Sequence, residues 1–406
     1  MMIVFIGFLA SIAIIISIIT LLFLRKYLKL LPVKTVDNDI ILEGLKAKGE
    51  DAMDKLEWEQ AIKYFQQALT LTTRKDKPLI YDRIAECYYN NSEYDDALKN
   101  LLEALEITKT IQNKLIEAKI LSNIGVIYHQ KGYIDKALEQ FSQSLVRNPQ
   151  KNIAYNNRGV AYTDKGEYDN AIVDFTKAIE LNPKDLDAYI NRGMAYYRKD
   201  KYDLAIKDYN KAIELNPKYA NAYNNRGVAY ADKKDEYDLA IADFNKAIEL
   251  NPKNAKAFNN RGNAYHKKEK YDLAIADFNK AIELNPKFVE AYNNRGNAYL
   301  SKDGYDQLAI KDYTRAIELN FKCADAYYNR GIAYTKKEEF DLAIKDYTKA
   351  IELNPQYAKA MARMGRAYQE KGDKEKARYW YEETLKKKEK LEDWQVEDIQ
   401  RWLKEL

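Results

Sequence analysis

Seven asparagines occupy one place in successive copies of a recurring segment: Asn123, Asn157, Asn191, Asn225, Asn260, Asn294 and Asn329. A side-chain amide is both donor and acceptor, so a row of them can pair with the backbone of an extended peptide whatever that peptide's side chains. In six copies an arginine follows, at Arg158, Arg192, Arg226, Arg261, Arg295 and Arg330, and an aspartate answers it later, at Asp174, Asp208, Asp243, Asp277, Asp312 and Asp346. The outer copies lack both, carrying Lys48 with Tyr64, Ile84 with Asn100, Ile124 with Gln140 and Met364 with Trp380 at these two places. Residues that come and go together read as an ion pair between neighbouring helices, because either charge left alone in a buried site costs roughly 3 to 5 kcal/mol. The asparagine row suggests binding; the arginine row suggests architecture.

Reaction chemistry has little to work with. The sequence holds no Walker-type glycine loop, no HExxH and no nucleophile elbow, and no stretch outside the copies is long enough for a catalytic domain. His129 and His266 are the only histidines, which excludes a histidine-rich metal site. The expectation is a chain without cofactor or metal that binds and does not catalyse.

The segment that positions these residues runs from Ala154 to Pro183 and recurs from Ala188, Ala222, Ala257, Ala291 and Ala326, with a period of 34 residues stretched to 35 in two copies. Such a unit is one helix-turn-helix that cannot bury its apolar face alone, so the copies must stack. Gly159 and Ala171 are small enough to let two helices approach, while Tyr155, Tyr162, Tyr168 and Phe175 fill the seam between them. Pro183 lacks an N–H and biases Asn182 away from the α region, which stops the second helix. Six of the eight prolines sit at this place: Pro149, Pro183, Pro217, Pro252, Pro286 and Pro355.

The markers Tyr155, Gly159, Tyr162, Tyr168, Ala171, Phe175, Ala178 and Pro183 resemble those of the tetratricopeptide repeat. The resemblance covers residues 42–391 as about ten repeats and implies an all-α, right-handed superhelical solenoid that holds extended protein or peptide segments in a concave groove. Degenerate copies begin near Leu42, Pro78 and Ala118, and one from Ala358 keeps Gly365, Tyr368 and Ala377 but loses the Asn-Pro stop. Its second helix is expected to run on through Lys386 to Lys390. Residues 392–406 should form a capping helix with Ile399, Trp402, Leu403 and Leu406 on one face. In the eighth copy Phe321 replaces the proline, which predicts a less sharp helix end or an exposed ring.

In this family an asparagine at the place of Asn157 resembles an inner binding ladder. The residues just after the glycine, Val160, Met194, Val228, Asn263, Asn297, Ile332 and Arg366, would add local selectivity. Asn297, Asn329, Lys359 and Arg363 occupy four of the five places that resemble the carboxylate clamp of chaperone-binding members, with Asn293 at the fifth. The resemblance implies an anion-binding patch there, able to hold peptide ends that carry two carboxylates.

Met1 to Leu24 contains no charged residue, and as a helix would extend about 36 Å. This predicts a single membrane span over residues 1–24. Arg25, Lys26, Lys29 and Lys34 follow it, which the positive-inside rule translates into a cytoplasmic array. Residues 25–41 read as a juxtamembrane linker, with a helix extension ended by Pro32 and a polar connector around Val36 to Asp39. The 66 basic and 62 acidic residues leave a net charge of only +4, so nothing calls for nucleic acid. Cys87 and Cys323 stand far apart and read as reduced packing residues.

These features predict a membrane-anchored interaction scaffold. Two alternatives are a membrane receptor for chaperone-delivered clients, using the basic patch, and an outward-facing envelope protein in assembly or adhesion. Self-association through the ends of the stack is a further option.

Overall fold

A computed structural model describes residues 33–406 apart from 234, 235, 303, 388 and 390. The chain divides into two compact units, Met1–Asn191 and Arg192–Leu406. The first contains α1 (Val33–Asp54), α2 (Trp58–Leu71), α3 (Lys77–Asn90), α4 (Tyr94–Ile111), α5 (Lys114–Gln130), α6 (Ile134–Arg147), α7 (Asn152–Asp164), α8 (Tyr168–Leu181) and the start of α9 (Leu186–Arg198). The second continues from α9 into α10 (Tyr202–Leu215), α11 (Ala220–Asp232), α12 (Tyr237–Leu250), α13 (Ala255–Lys267), α14 (Tyr271–Leu284) and α15 (Val289–Leu300). It ends with α16 (Asp306–Leu319), α17 (Ala324–Lys336), α18 (Phe340–Leu353), α19 (Ala358–Glu370), α20 (Lys374–Leu385) and α21 (Asp393–Glu405). No strand occurs among the described residues. Each unit is an all-α stack of helix pairs, in which odd-numbered helices up to α19 open a repeat, even-numbered ones close it, and α21 follows the last pair.

First helices also touch the first helices of adjoining repeats, as α3 touches α5 and α13 touches α15. Second helices meet one another less, so the first helices line the inner face of each unit.

The reason for the repeated glycine is specific. A Cβ built on Gly159 would lie 2.6 Å from the Phe175 ring, and Gly193, Gly262 and Gly331 stand equally close to Tyr209, Phe278 and Tyr347, at 2.6, 2.7 and 2.6 Å. The glycine is a seat for the ring of the second helix. Where Ala85 replaces it, Leu101 replaces the ring, and both are buried. A smaller partner leaves room for the methyl.

In the fully described turns inside the repeats one residue lies in the left-handed region, where an L side chain costs roughly 1–2 kcal/mol. Gly132, Gly166, Gly304 and Gly372 supply it freely, but Glu269 and Glu338 adopt φ of 58° and 61°. Glu269→Gly and Glu338→Gly should each raise unfolding free energy by about 1 kcal/mol, read from urea denaturation of the full chain.

The exit from seven of the repeats, at Asn148, Asn182, Asn216, Asn251, Asn285, Asn320 and Asn354, relies on asparagine more than on proline. Asn182 Oδ1 accepts a bond from Lys184 N at 3.2 Å, closing a local turn. Asn320 makes the same bond to Lys322 N at 3.0 Å although Phe321 follows it, so the helix ends just as sharply. The Phe321 ring is 66% exposed, as one branch of the expectation had it.

Three expectations are corrected. Residues 1–24 lie outside the described residues, and no helix among the described residues is long and apolar enough to cross a membrane. The placement as a single-pass membrane protein with a cytoplasmic array is therefore withdrawn; the first described helix, α1, carries Glu43, Lys46, Glu50 and Asp51. Second, α1 already includes Val36 to Asp39, the expected connector. Third, α20 stops at Leu385, well short of Lys390. The cap itself forms as expected, with Ile399, Trp402, Leu403 and Leu406 packed on Ala377 and Tyr381.

Candidate functional site

The asparagine row lies half-buried on the first helices and is partly consumed by the stack itself. Asn191 Nδ2 donates to Asn156 Oδ1 at 3.1 Å, and Asn260, Asn294 and Asn329 donate to Asn224, Asn259 and Asn293 at 3.1, 3.0 and 3.1 Å. Each bond joins one repeat to the one before. Asn225 instead accepts from its chain neighbour Asn224 at 3.5 Å, and Asn157 sits half-buried on α7. An amide that spends one N–H on its neighbour keeps a second N–H and acceptor capacity. The row is thus a zipper between repeats with hydrogen-bonding capacity left over.

Two asparagines one turn further on carry no zipper bond. Asn263 and Asn297 line an open groove of about 410 Å³ with Asn260, Asn294, Val228 and His266. Asn297 Oδ1 accepts from the Tyr313 hydroxyl at 2.8 Å, which fixes its orientation and leaves Nδ2 to donate elsewhere. Burial, then the neighbouring Lys267, hold His266 below the ordinary histidine range, so it is neutral at pH 7. The groove is amide-rich at this point, with Asp232 and Lys267 as the charged residues of its lining.

In the first unit the inner face differs. Asp82 stands where later repeats carry the acceptor asparagine, and it is only 3% exposed. It accepts from Asn123 Nδ2 at 2.6 Å and pairs with Lys119 Nζ at 2.7 Å, beside a groove of about 380 Å³ lined also by Arg83, Tyr89 and Val126. Sequence reading missed Asp82. The available signal was an acid in the register of Asn156, Asn224 and Asn259.

The arginine–aspartate pairs form in all six repeats. Arg226 Nε and Nη2 donate to the two oxygens of Asp243 at 2.7 and 2.6 Å, and Arg261 does the same with Asp277. Arg226 Nη1 reaches back to Asn210 of the preceding repeat at 2.5 Å, and Arg330 Nη1 reaches Thr314 at 3.0 Å. The guanidinium also lies over Tyr223 and Tyr230, 5.6 and 5.9 Å from the ring centres. The hydrogen bond to Asp243, offset in part by burial, raises the Arg226 pKa. One side chain therefore ties three helices together, which accounts for its recurrence without a ligand.

At the far end of the second unit, Lys359 and Arg363 lie one turn apart on α19 and line a cavity of about 290 Å³ with Tyr328, Asp398 and Trp402. Burial pushes the Tyr328 hydroxyl up, and the neighbouring Arg363 charge offsets part of that rise. Asn297 and Asn329, expected beside them, instead engage Tyr313 and Asn293.

Cys87 is fully buried and Cys323 half-buried. Burial, with the nearby Glu86 and Glu50, pushes the Cys87 thiol up to about 12. A thiol reagent at pH 8 should leave Cys87 untouched in the folded protein and modify it only after denaturation, while Cys323 reacts natively. No group of three or more His, Cys, Asp or Glu residues able to hold a metal occurs among the described residues.

Sequence profiles described as tetratricopeptide repeat or TPR repeat match residues 76–145, 153–185, 175–207, 289–323, 324–357 and 346–379, with three overlapping matches from 193 to 303. The heat shock protein sti1 homolog of Schizosaccharomyces pombe is 35% identical over 103 residues, which are 25% of this chain and 16% of that protein. The photosystem I assembly protein Ycf3 of Prochlorococcus marinus strain SARG is 28% identical over 89 residues, 22% of this chain and half of that protein. The chain thus spans half or less of these curated relatives. A crystallised tetratricopeptide repeat protein from Parabacteroides merdae superposes with a TM-score of 0.53 at 22% identity, covering 62% of this chain and 98% of its own, and shares the fold.

Proposed function

We propose that this chain, which belongs to the tetratricopeptide repeat family, is a protein-interaction scaffold that holds an extended partner segment against the first helices of its repeats. The observation that carries this reading is the amide-lined groove around Asn260, Asn263, Asn294 and Asn297. Amides there offer donors and acceptors together, which matches the alternating N–H and C=O groups of an extended backbone. Val228 sets the local preference for the partner's side chains. Each contact contributes modestly, and the sum over repeats supplies useful affinity.

The test uses residues outside the zipper, so that binding and folding are separated. A crosslinking pull-down from cell extract should lose its partner when Asn263→Ala and Asn297→Ala are combined, with helicity by circular dichroism unchanged. The pair should weaken binding on the order of tenfold, about 0.7 kcal/mol for each lost bond. Retention of the same partners would remove this groove as the site.

A second reading, in which the scaffold serves chaperone-linked partners, draws on Lys359 and Arg363 and on the similarity to the sti1 homolog. Two adjacent cations favour a partner segment that ends in carboxylates. Lys359→Ala with Arg363→Ala should then abolish capture of such a segment and spare partners held at Asn263 and Asn297.

A further inference from the structure

A row of ion pairs joins the turns of successive repeats in the second unit. Lys233 Nζ lies 2.7 Å from Asp203 Oδ1, Lys268 2.5 Å from Asp238, Lys302 2.5 Å from Asp272 and Lys336 3.2 Å from Asp306. Lys371 pairs with Asp341 in the same register. Each lysine stands at or just past the C-terminal end of a first helix, and each aspartate in the first turn of the second helix one repeat earlier. Both places suit their charge, since a helix is negative at its C-terminus and positive at its N-terminus. The bond from Lys268 holds the Asp238 carboxyl below the usual carboxylate range.

These rungs differ from the other bonds across the same junctions. The side chains of Asp203, Asp238 and Asp272 are 80, 85 and 85% exposed. On the inner face, the bonds from Asn260 to Asn224 and from Asn294 to Asn259 join uncharged amides, and the aspartates that hold Arg226 and Arg261 are buried. Dissolved salt screens exposed charges over a Debye length of about 8 Å at physiological ionic strength, and acts much less on buried pairs. One edge of the stack is therefore salt-sensitive and the inner face is not. That edge borders the amide-lined groove, whose lining includes Asp232, Tyr237 and Lys267, the chain neighbours of Lys233, Asp238 and Lys268.

We propose that this ladder is a brace sensitive to ionic strength: at low salt the rungs draw successive turns of the second unit together, and at high salt that edge opens about the inner-face bonds and widens the groove. A single exposed pair contributes little. Here the pairs recur at one edge and in one register, so the displacements they permit add in one direction instead of cancelling. Affinity for a segment held by amides then falls or rises with salt although no charge is exchanged with that segment. The inference extends the scaffold reading, and its test needs no partner, so either can fail without the other.

The test measures distances between pairs of spin labels by double electron–electron resonance, on the full chain with Cys323→Ser, since Cys87 is buried and escapes labelling. One pair, Asp200→Cys with Glu338→Cys, sits on two turns at residues that already have positive φ. It spans the four rungs from Lys233 to Lys336. The other pair, Met194→Cys with Ile332→Cys, spans the same repeats on first helices. Raising NaCl from about 50 mM to about 500 mM, which shortens the screening length to ~4 Å, should lengthen the turn pair by roughly 1 Å per rung and leave the inner pair unchanged. Asp238→Asn with Asp272→Asn removes two rungs, so the turn pair should already be longer at low salt and respond to salt about half as much. Asp238→Lys alone should lengthen it too, and adding Lys268→Asp, which restores the attraction with its sign exchanged, should shorten it again. A turn pair that does not change with salt, an inner pair that lengthens equally, or Asp→Asn variants that match the parent at low salt would each overturn the proposal.

Discussion

Arg226→Met should lower the unfolding free energy by about 3 kcal/mol, and adding Asp243→Leu should recover most of that loss. The single change leaves a carboxylate only 6% exposed with neither of its two guanidinium bonds, and it also frees Asn210 of the preceding repeat. Breaking a buried pair from one side costs roughly 3–5 kcal/mol, whereas replacing both partners with apolar groups is often close to neutral. Met364 opposite Trp380 and Ile124 opposite Gln140 show that the stack accepts uncharged pairs at these places. Urea denaturation of the single and double variants gives the two values. A double variant as weak as the single would mean that the guanidinium's stacking on Tyr223 and Tyr230 outweighs the ion pair.

The second large effect separates two glycines of the same helix. Gly49→Ala should destabilise by about 2 kcal/mol, because the new methyl would meet the Phe65 ring at 2.6 Å and that ring is 1% exposed. Gly44→Ala should stabilise by roughly 1 kcal/mol, since no atom lies within 4 Å and alanine suits a helix interior better. Opposite signs within one turn and a half of α1 are the result to look for in matched thermal melts. Phe65→Leu should soften the Gly49→Ala penalty, as the natural combination of Ala85 with Leu101 does.

Much of this architecture could be read from the residues alone. Period, turn chemistry and the paired loss of arginine and aspartate in the outer repeats defined the helix pairs and one of their bonds. These features are local, or recur at a fixed offset, and a repeat exposes them many times over. The face of α21 was legible for the same reason, since a spacing of three and four residues is set by the helix itself. The end of α20 was not, because the lost Asn-Pro stop said nothing of what replaces it.

What only the tertiary structure decided lies between repeats. That Asn260 gives its N–H to Asn224, and so is half structural, depends on how two helices more than thirty residues apart are placed side by side. The burial of Asp82 against Lys119 depends on the same placement. The clearest case is the basic patch: the sequence marks Lys359 and Arg363 as cations on an inner face, with a capping helix to follow. That this helix also walls the cavity beside Lys359 and Arg363 is decided by the angle at which α21 leaves Leu391. Packing of Trp402 against Tyr381 and Arg366 sets that angle, and no local pattern encodes it.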